Sequence, residues 1–196
     1  MDNEGTQEEM QAVFGEVLEL CCVNTEQKVA VLSEGDILQE RSEAFLRAAE
    51  KLGAEVVRVN VAASSNAGAE ARIADLGTSA LSSDDAAMKT LKDADLVIDL
   101  MLLLFSHEQL EMQAAGTRIL LVVEPFDTLK RLLPSQAMRA RVEAGERRMQ
   151  AAKTLRFTNS VGTDVLYELK QNGGTSSHGV LTEYGYTDTP GRWDHW

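Results

Sequence analysis

Residues 95–104 read DLVIDLMLLL. After Asp95, the only polar side chain in the run is Asp99. A strand with one wet face alternates apolar and polar residues. One that is apolar at consecutive positions is covered on both faces, as in a parallel sheet between two layers of helices. The stretch therefore predicts a buried strand over 95–104 that runs into a loop at Phe105, Ser106 and His107.

Strands of the same kind lie to either side. KVAVLS (28–33) and EVVRVN (55–60) precede it, and RILLVVE (118–124), closed by Pro125, follows. TLRFTNS (154–160) reads as a fifth strand, after which GTDVLYEL (162–169) turns at Gly162 and extends again. The intervening segments have helical period. Thr6 followed by Glu9 is a capping box, and Met10, Val13, Val17, Leu18 and Cys21 continue it at helical spacing. Residues 37–52 place Leu38, Phe45, Leu46 and Ala49 on one face and stop at Gly53. Residues 82–94 form a helix capped by Ser82 or Ser83, and 108–115 a short helix ended by Gly116. A longer helical stretch, broken at Pro134, runs to about Lys153. Residues 62–80, rich in Ala, Ser and Gly, read as a loop.

This alternation predicts an α/β fold: an open doubly wound, mostly parallel sheet with helices on both faces, followed by the start of a second domain. The expected segments are an N-terminal helix over 1–27, the α/β domain over 28–170 and an aromatic-rich segment over 171–196. Such folds bind ligands at the carboxyl ends of their strands, here Ser33–Gly35, Phe105–His107 and Glu124–Phe126.

Composition narrows the function. Nineteen basic against 31 acidic residues leave a net charge of −12. That balance speaks against nucleic acid or an anionic membrane as partner, because phosphate binding needs clustered Lys and Arg. No run of about 18 apolar residues spans a membrane, and MDNEGTQEE is unlike a signal or transit peptide. Cys21 and Cys22 are adjacent, which suits neither a disulfide framework nor a zinc site. The expectation is a reduced, cytoplasmic protein. SEGD after the first strand lacks the dinucleotide fingerprint, and neither a phosphate-binding loop nor a nucleophile elbow occurs. His107, His178 and His195 lie at no tight ligand spacing, so these residues do not make a facial triad of two His and a carboxylate. His178 reads as solvated in a Gly/Ser turn, QNGGTSSHG, and His107 as a first-turn helix residue.

The last fifteen residues, TEYGYTDTPGRWDHW (182–196), hold both tryptophans and two of the three tyrosines. Chain ends are usually small and polar, so this one reads as the rim of a site. Glu183 lies in alternating TEYGY. A carboxylate among rings is desolvated, which raises its pKa toward the range useful for a general base. His195, beside Trp193 and Trp196, can bind the hydroxyl of a flat aromatic ligand or pass a proton. The other reading is a surface hairpin whose rings cover the sheet edge, with Arg192 and Asp194 as a plain ion pair.

TEYGYTDTPGRWDHW resembles the corresponding stretch of the 2,5-dihydroxypyridine 5,6-dioxygenases, ring-cleaving enzymes of bacterial nicotinic acid and nicotine breakdown. KVAVLS, DLVIDLMLLL followed by SHEQ, GTRILLVVEP and LKRLLP stand in that family's order and spacing. The wider superfamily includes the aminopeptidase T type metallopeptidases. The resemblance implies a non-haem Fe(II) dioxygenase that opens 2,5-dihydroxypyridine with both atoms of O₂, giving N-formylmaleamic acid. It implies the active-site glutamate at Glu183 and a histidine near the substrate at His195. It also implies a substrate-facing loop at Leu104, Phe105, Ser106 and His107, which reaches a neighbouring subunit's site in a homo-oligomer. Phe105 stands where the family carries a histidine, and His107 is the nearest imidazole. The iron ligands implied, two His and one Asp, belong to a further domain beyond Trp196. Two other readings remain: an aminopeptidase T-like metallopeptidase fragment, and a non-catalytic oligomerising α/β module that docks through its aromatic tail.

Overall fold

A computed structural model describes residues 5–36, 38–62, 80–104, 106–169 and 186–196. Residues 63–79 of the expected loop, the QNGGTSSHG turn, Phe105 and Glu183 lie outside the described residues. In chain order the first elements are α1 (Gln7–Leu20), β1 (Lys28–Glu34), α2 (Gln39–Lys51), β2 (Glu55–Val61), a 3-10 turn (Ala80–Ser83) and α3 (Asp85–Lys92). Then come β3 (Leu96–Asp99), α4 (His107–Ala114), β4 (Arg118–Leu121), α5 (Phe126–Arg131), α6 (Gln136–Ala151), β5 (Thr154–Thr158), β6 (Asp164–Glu168) and β7 (Trp193–His195).

Local chemistry sets most of the boundaries. Thr6 Oγ1 accepts the Glu9 N–H at 3.1 Å, so the N-cap expected at Thr6 forms. Gly53 ends α2 at φ 85°, and a Cβ there would lie 2.6 Å from Thr25 Cγ2. Helix α3 is capped by Asp84, whose carboxylate accepts the Ala87 N–H at 2.9 Å, not by the expected Ser82 or Ser83. Those serines are wound into the preceding 3-10 turn, and Ser82 Oγ is spent on Glu108.

The chain forms two compact units, Met1–Pro134 with Gly185–Trp196, and Ser135–Tyr184. The first is the parallel α/β sheet, in strand order β2-β1-β3-β4-β7. On one face Ala30, Leu32, Val97 and Ile119 join Met88 and Leu91 of α3 and Met112 of α4 in a single core cluster. Alternation sends Val29, Val31, Leu96, Ile98 and Leu120, all buried, to the other face, where α1 and α2 pack. There Phe14 stacks on Phe45 at 3.9 Å between centroids. Phe126 and Trp196 meet the edges or face of Phe14 near 90°, at 5.8 and 5.7 Å. Helices on both faces of a parallel sheet are the architecture expected from the apolar strands.

The second unit departs from the expectation. TLRFT is a strand, but it does not join the doubly wound sheet. It pairs antiparallel with β6, Leu155 opposite Tyr167 and Phe157 opposite Val165. The fifth parallel strand is Trp193–His195 instead, hydrogen-bonded along β4. Residues 193–195, in the aromatic-rich segment, thus pair in this sheet.

Candidate functional site at the carboxyl edge of the sheet

Sheet order locates the crevice. The chain leaves β1 toward β2 with α2 on one face, then returns to β3 on the far side of β1 with α3 on the other. The order reverses between β1 and β3. At such a point adjacent connections diverge and leave a cleft beyond the carboxyl ends of the strands. Leu32 is in register with Asp99 there, and Ser33, Glu34 and residues 100–104 follow the strand ends at this edge.

Strand β3 ends at Asp99, earlier than the 95–104 run suggested. The Asp99 carboxylate accepts the N–H of Met101 at 2.7 Å through Oδ1 and that of Leu103 at 2.8 Å through Oδ2. The backbone winds around this buried group, and Leu102 is held at φ 63°. A leucine in the left-handed region costs on the order of 1 kcal/mol and persists only where its surroundings impose it. Leu104, half-buried, follows in this loop. Ser106 is buried and caps α4, its Oγ accepting the Gln109 N–H at 3.1 Å. His107 is exposed on the first turn of α4.

Four buried charges collect around this edge that the sequence did not single out: Glu34, Arg41, Asp99 and Glu108. Arg41 Nη1 donates to the Glu124 carbonyl, joining the start of α2 to the chain beyond β4. Glu108 is 6 % exposed. Its Oε1 accepts from Ser82 Oγ, and its Oε2 has no hydrogen-bond partner. The available signal was Asp99 itself, a lone carboxylate inside an apolar run.

Of the residues expected at the site, Leu104, Ser106 and His107 lie at this edge. His195 ends β7 in register with Leu121. Because β7 is parallel to β4, its backbone reaches the same carboxyl edge, two strands from β3 and so about 10 Å away. The expected aromatic rim is in part core. Trp196 is buried, with Nε1 donating to the Leu129 carbonyl at 3.1 Å, and Tyr186 is fully buried. Burying a ring pair of this size outweighs leaving it at a surface.

A non-haem iron of the facial-triad type needs two imidazoles and a carboxylate converging on one point. No group of three or more His, Cys, Asp and Glu side chains among the described residues could hold a metal ion. These residues therefore do not fit an iron centre.

A family model for the 2,5-dihydroxypyridine 5,6-dioxygenases matches residues 9–196. A relative from Pseudomonas putida KT2440, named 2,5-dihydroxypyridine 5,6-dioxygenase, is 38 % identical over 190 residues, covering 96 % of this chain and 53 % of the relative. A solved structure of the 2,5-dihydroxypyridine dioxygenase of the same bacterium superposes with a TM-score of 0.83 at 36 % identity, covering 98 % of this chain and 54 % of that one. The chain spans about half the length of these relatives. A family match over nearly every residue, together with the fold shared with that solved structure, means that this chain belongs to the 2,5-dihydroxypyridine 5,6-dioxygenase family.

Proposed function

We propose that this chain is the α/β portion of a ring-cleaving dioxygenase acting on 2,5-dihydroxypyridine with O₂, in nicotinic acid degradation. The observation that carries the reading is the family match across residues 9–196. The metal, Fe(II), would be held by polypeptide that this chain does not contain, and would supply oxygen activation. The product is N-formylmaleamic acid, the working assembly a homo-oligomer and the setting cytoplasmic.

The roles of this chain's own groups follow from chemistry. Ring opening of a hydroxypyridine requires a phenolic proton to be taken and returned. Glu183 and His195 are assigned that transfer. Leu104, Phe105, Ser106 and His107 are assigned to the wall against which the flat ring lies. An apolar wall excludes water and strengthens the hydrogen bonds that orient the ring hydroxyls. Phe105 would contribute ring contact in place of an imidazole, leaving His107 to offer the nearest nitrogen.

The test compares two polypeptides. The 196-residue chain alone, supplied with ferrous ion, should neither retain iron nor consume O₂ with 2,5-dihydroxypyridine. A polypeptide carrying this chain in a length comparable to its relatives should do both. In that longer protein Glu183→Ala and His195→Ala should each lower turnover by about 10²-fold. Turnover by the short chain at the rate of the longer one, or unchanged rates in both variants, would overturn the assignment.

A further inference from the structure

Leu104 sits between two anchors. Before it, Met101 and Leu103 are buried in the same core cluster as Leu81 and Met112, and Asp99 accepts the N–H groups of both. After it, the Ser106 N–H donates to the Leu103 carbonyl at 3.0 Å, and Ser106 Oγ accepts the Gln109 N–H. Leu104 therefore takes its place from β3 on one side and from the first turn of α4 on the other.

The second anchor is itself held by Glu108. This residue is buried in the first turn of α4, its Oε1 accepts from Ser82 Oγ, and its Oε2 has no hydrogen-bond partner. Packing alone does not call for a carboxyl there. An apolar side chain would fill the space without leaving an oxygen dry and unpaired, which is costly. Ser82 is exposed, so its hydroxyl would otherwise face water. Leu81 beside it is fully buried in the core cluster, which makes the 3-10 turn a fixed post. The bond from Ser82 to Glu108 ties the start of α4 to that post.

We propose that Glu108, held by Ser82, is a positioning residue: it fixes the first turn of α4 and, through Ser106, the place of Leu104 against the substrate ring. The role rests on the assignment of Leu104 to the ring wall made above. It is a role in binding. A wall that wanders loses the same contact with the bound ring and with its transition state, so KM rises while kcat holds.

The test uses a polypeptide of the relatives' length that carries this chain, with ferrous ion, O₂ and 2,5-dihydroxypyridine. Ser82→Ala and Glu108→Ala should each raise KM about tenfold and leave kcat within about twofold. Glu108→Gln keeps an oxygen that accepts from Ser82 and should return KM to within about threefold of the parent. The double variant should go no further than Glu108→Ala, because the two groups make one contact. Hydrogen exchange measures the positioning without turnover: in Ser82→Ala the Ser106 and Gln109 amides should exchange about tenfold faster, with Ile98 and Leu120 of the sheet unchanged. Faster exchange in loop and sheet alike means a general loss of stability and overturns the proposal, as does a fall in kcat at unchanged KM. Leu104→Ala separates the two levels. If it raises KM while the Ser82 and Glu108 variants do not, the tie fails and the ring wall stands. If none of the three moves KM, the wall assignment fails and the positioning role with it. Should Glu108→Ala not fold by circular dichroism, Ser82→Ala, at an exposed site, decides.

Discussion

At the end of β3 one carboxylate organises the backbone around it. Asp99 satisfies two buried N–H groups and fixes the loop on which Leu104 and Ser106 ride. Removing it in Asp99→Ala leaves both donors buried and unpaired, at about 1–3 kcal/mol each. The variant should lose about 2–5 kcal/mol of stability in urea unfolding. Asp99→Asn keeps one acceptor oxygen and should lose about half as much. Equal midpoints for the two would show that only the ring of contacts, not the acceptors, matters. Trp196 provides the second residue-scale test. Trp196→Ala empties a site between Phe14 and Leu129 and should cost about 3–5 kcal/mol. Trp196→Phe keeps a ring and loses the indole hydrogen bond, worth about 1 kcal/mol; thermal melts compare the two. In the sequence this tryptophan was legible as special but not as buried, since exposure is decided by what the rest of the chain brings against it.

At the scale of elements, exposed ion pairs tie neighbours together. The Lys130 ammonium holds the Glu9 carboxyl below its ordinary range, linking α5 to α1. The Lys28 hydrogen bond does the same for Asp93, linking β1 to the end of α3. Arg58, then Arg47, lower Glu43, and Arg156 lowers Asp164 within the hairpin. Carboxyls with folded pKa values below their unfolded ones, about 4, add stability that is present above that pH and is lost as pH falls through the folded values. Lys28 and Lys130 are raised, so their share is full below about pH 10.5 and is lost above it. The urea midpoint should therefore hold across neutral pH and fall below about pH 4. Asp93→Asn should show a shallower acid fall than the parent. An identical fall would mean that this pair contributes nothing, which surface pairs often do.

For the whole molecule, the chain's end closes the sheet. Backbone bonds from Ile119 to the Arg192 carbonyl and from Trp196 to the Leu121 carbonyl pair β7 with β4. Arg118, buried, donates to the carbonyls of Cys21 and Thr187 and to Gln27 Oε1, joining the end of α1, the start of β4 and the returning chain. Deleting residues 186–196 leaves β4 as an uncovered apolar edge and strips an acceptor from a buried guanidinium. The truncated protein should melt well below Trp196→Ala and scatter light on warming. A melt at the level of that single variant would mean that strand pairing adds nothing to the ring's burial.

The sequence by itself determined the layered α/β class, the cap at Thr6 and the buried strands, because apolar runs and capping side chains act over a few residues. It also carried the family motifs, which are local strings. Only the tertiary structure decided that TLRFT pairs with DVLYE while WDH, three residues long, completes the parallel sheet. Both segments suit a strand. Which edge each joins depends on partners distant in sequence, and the same holds for Glu34, Arg41 and Glu108, whose burial no local pattern encodes.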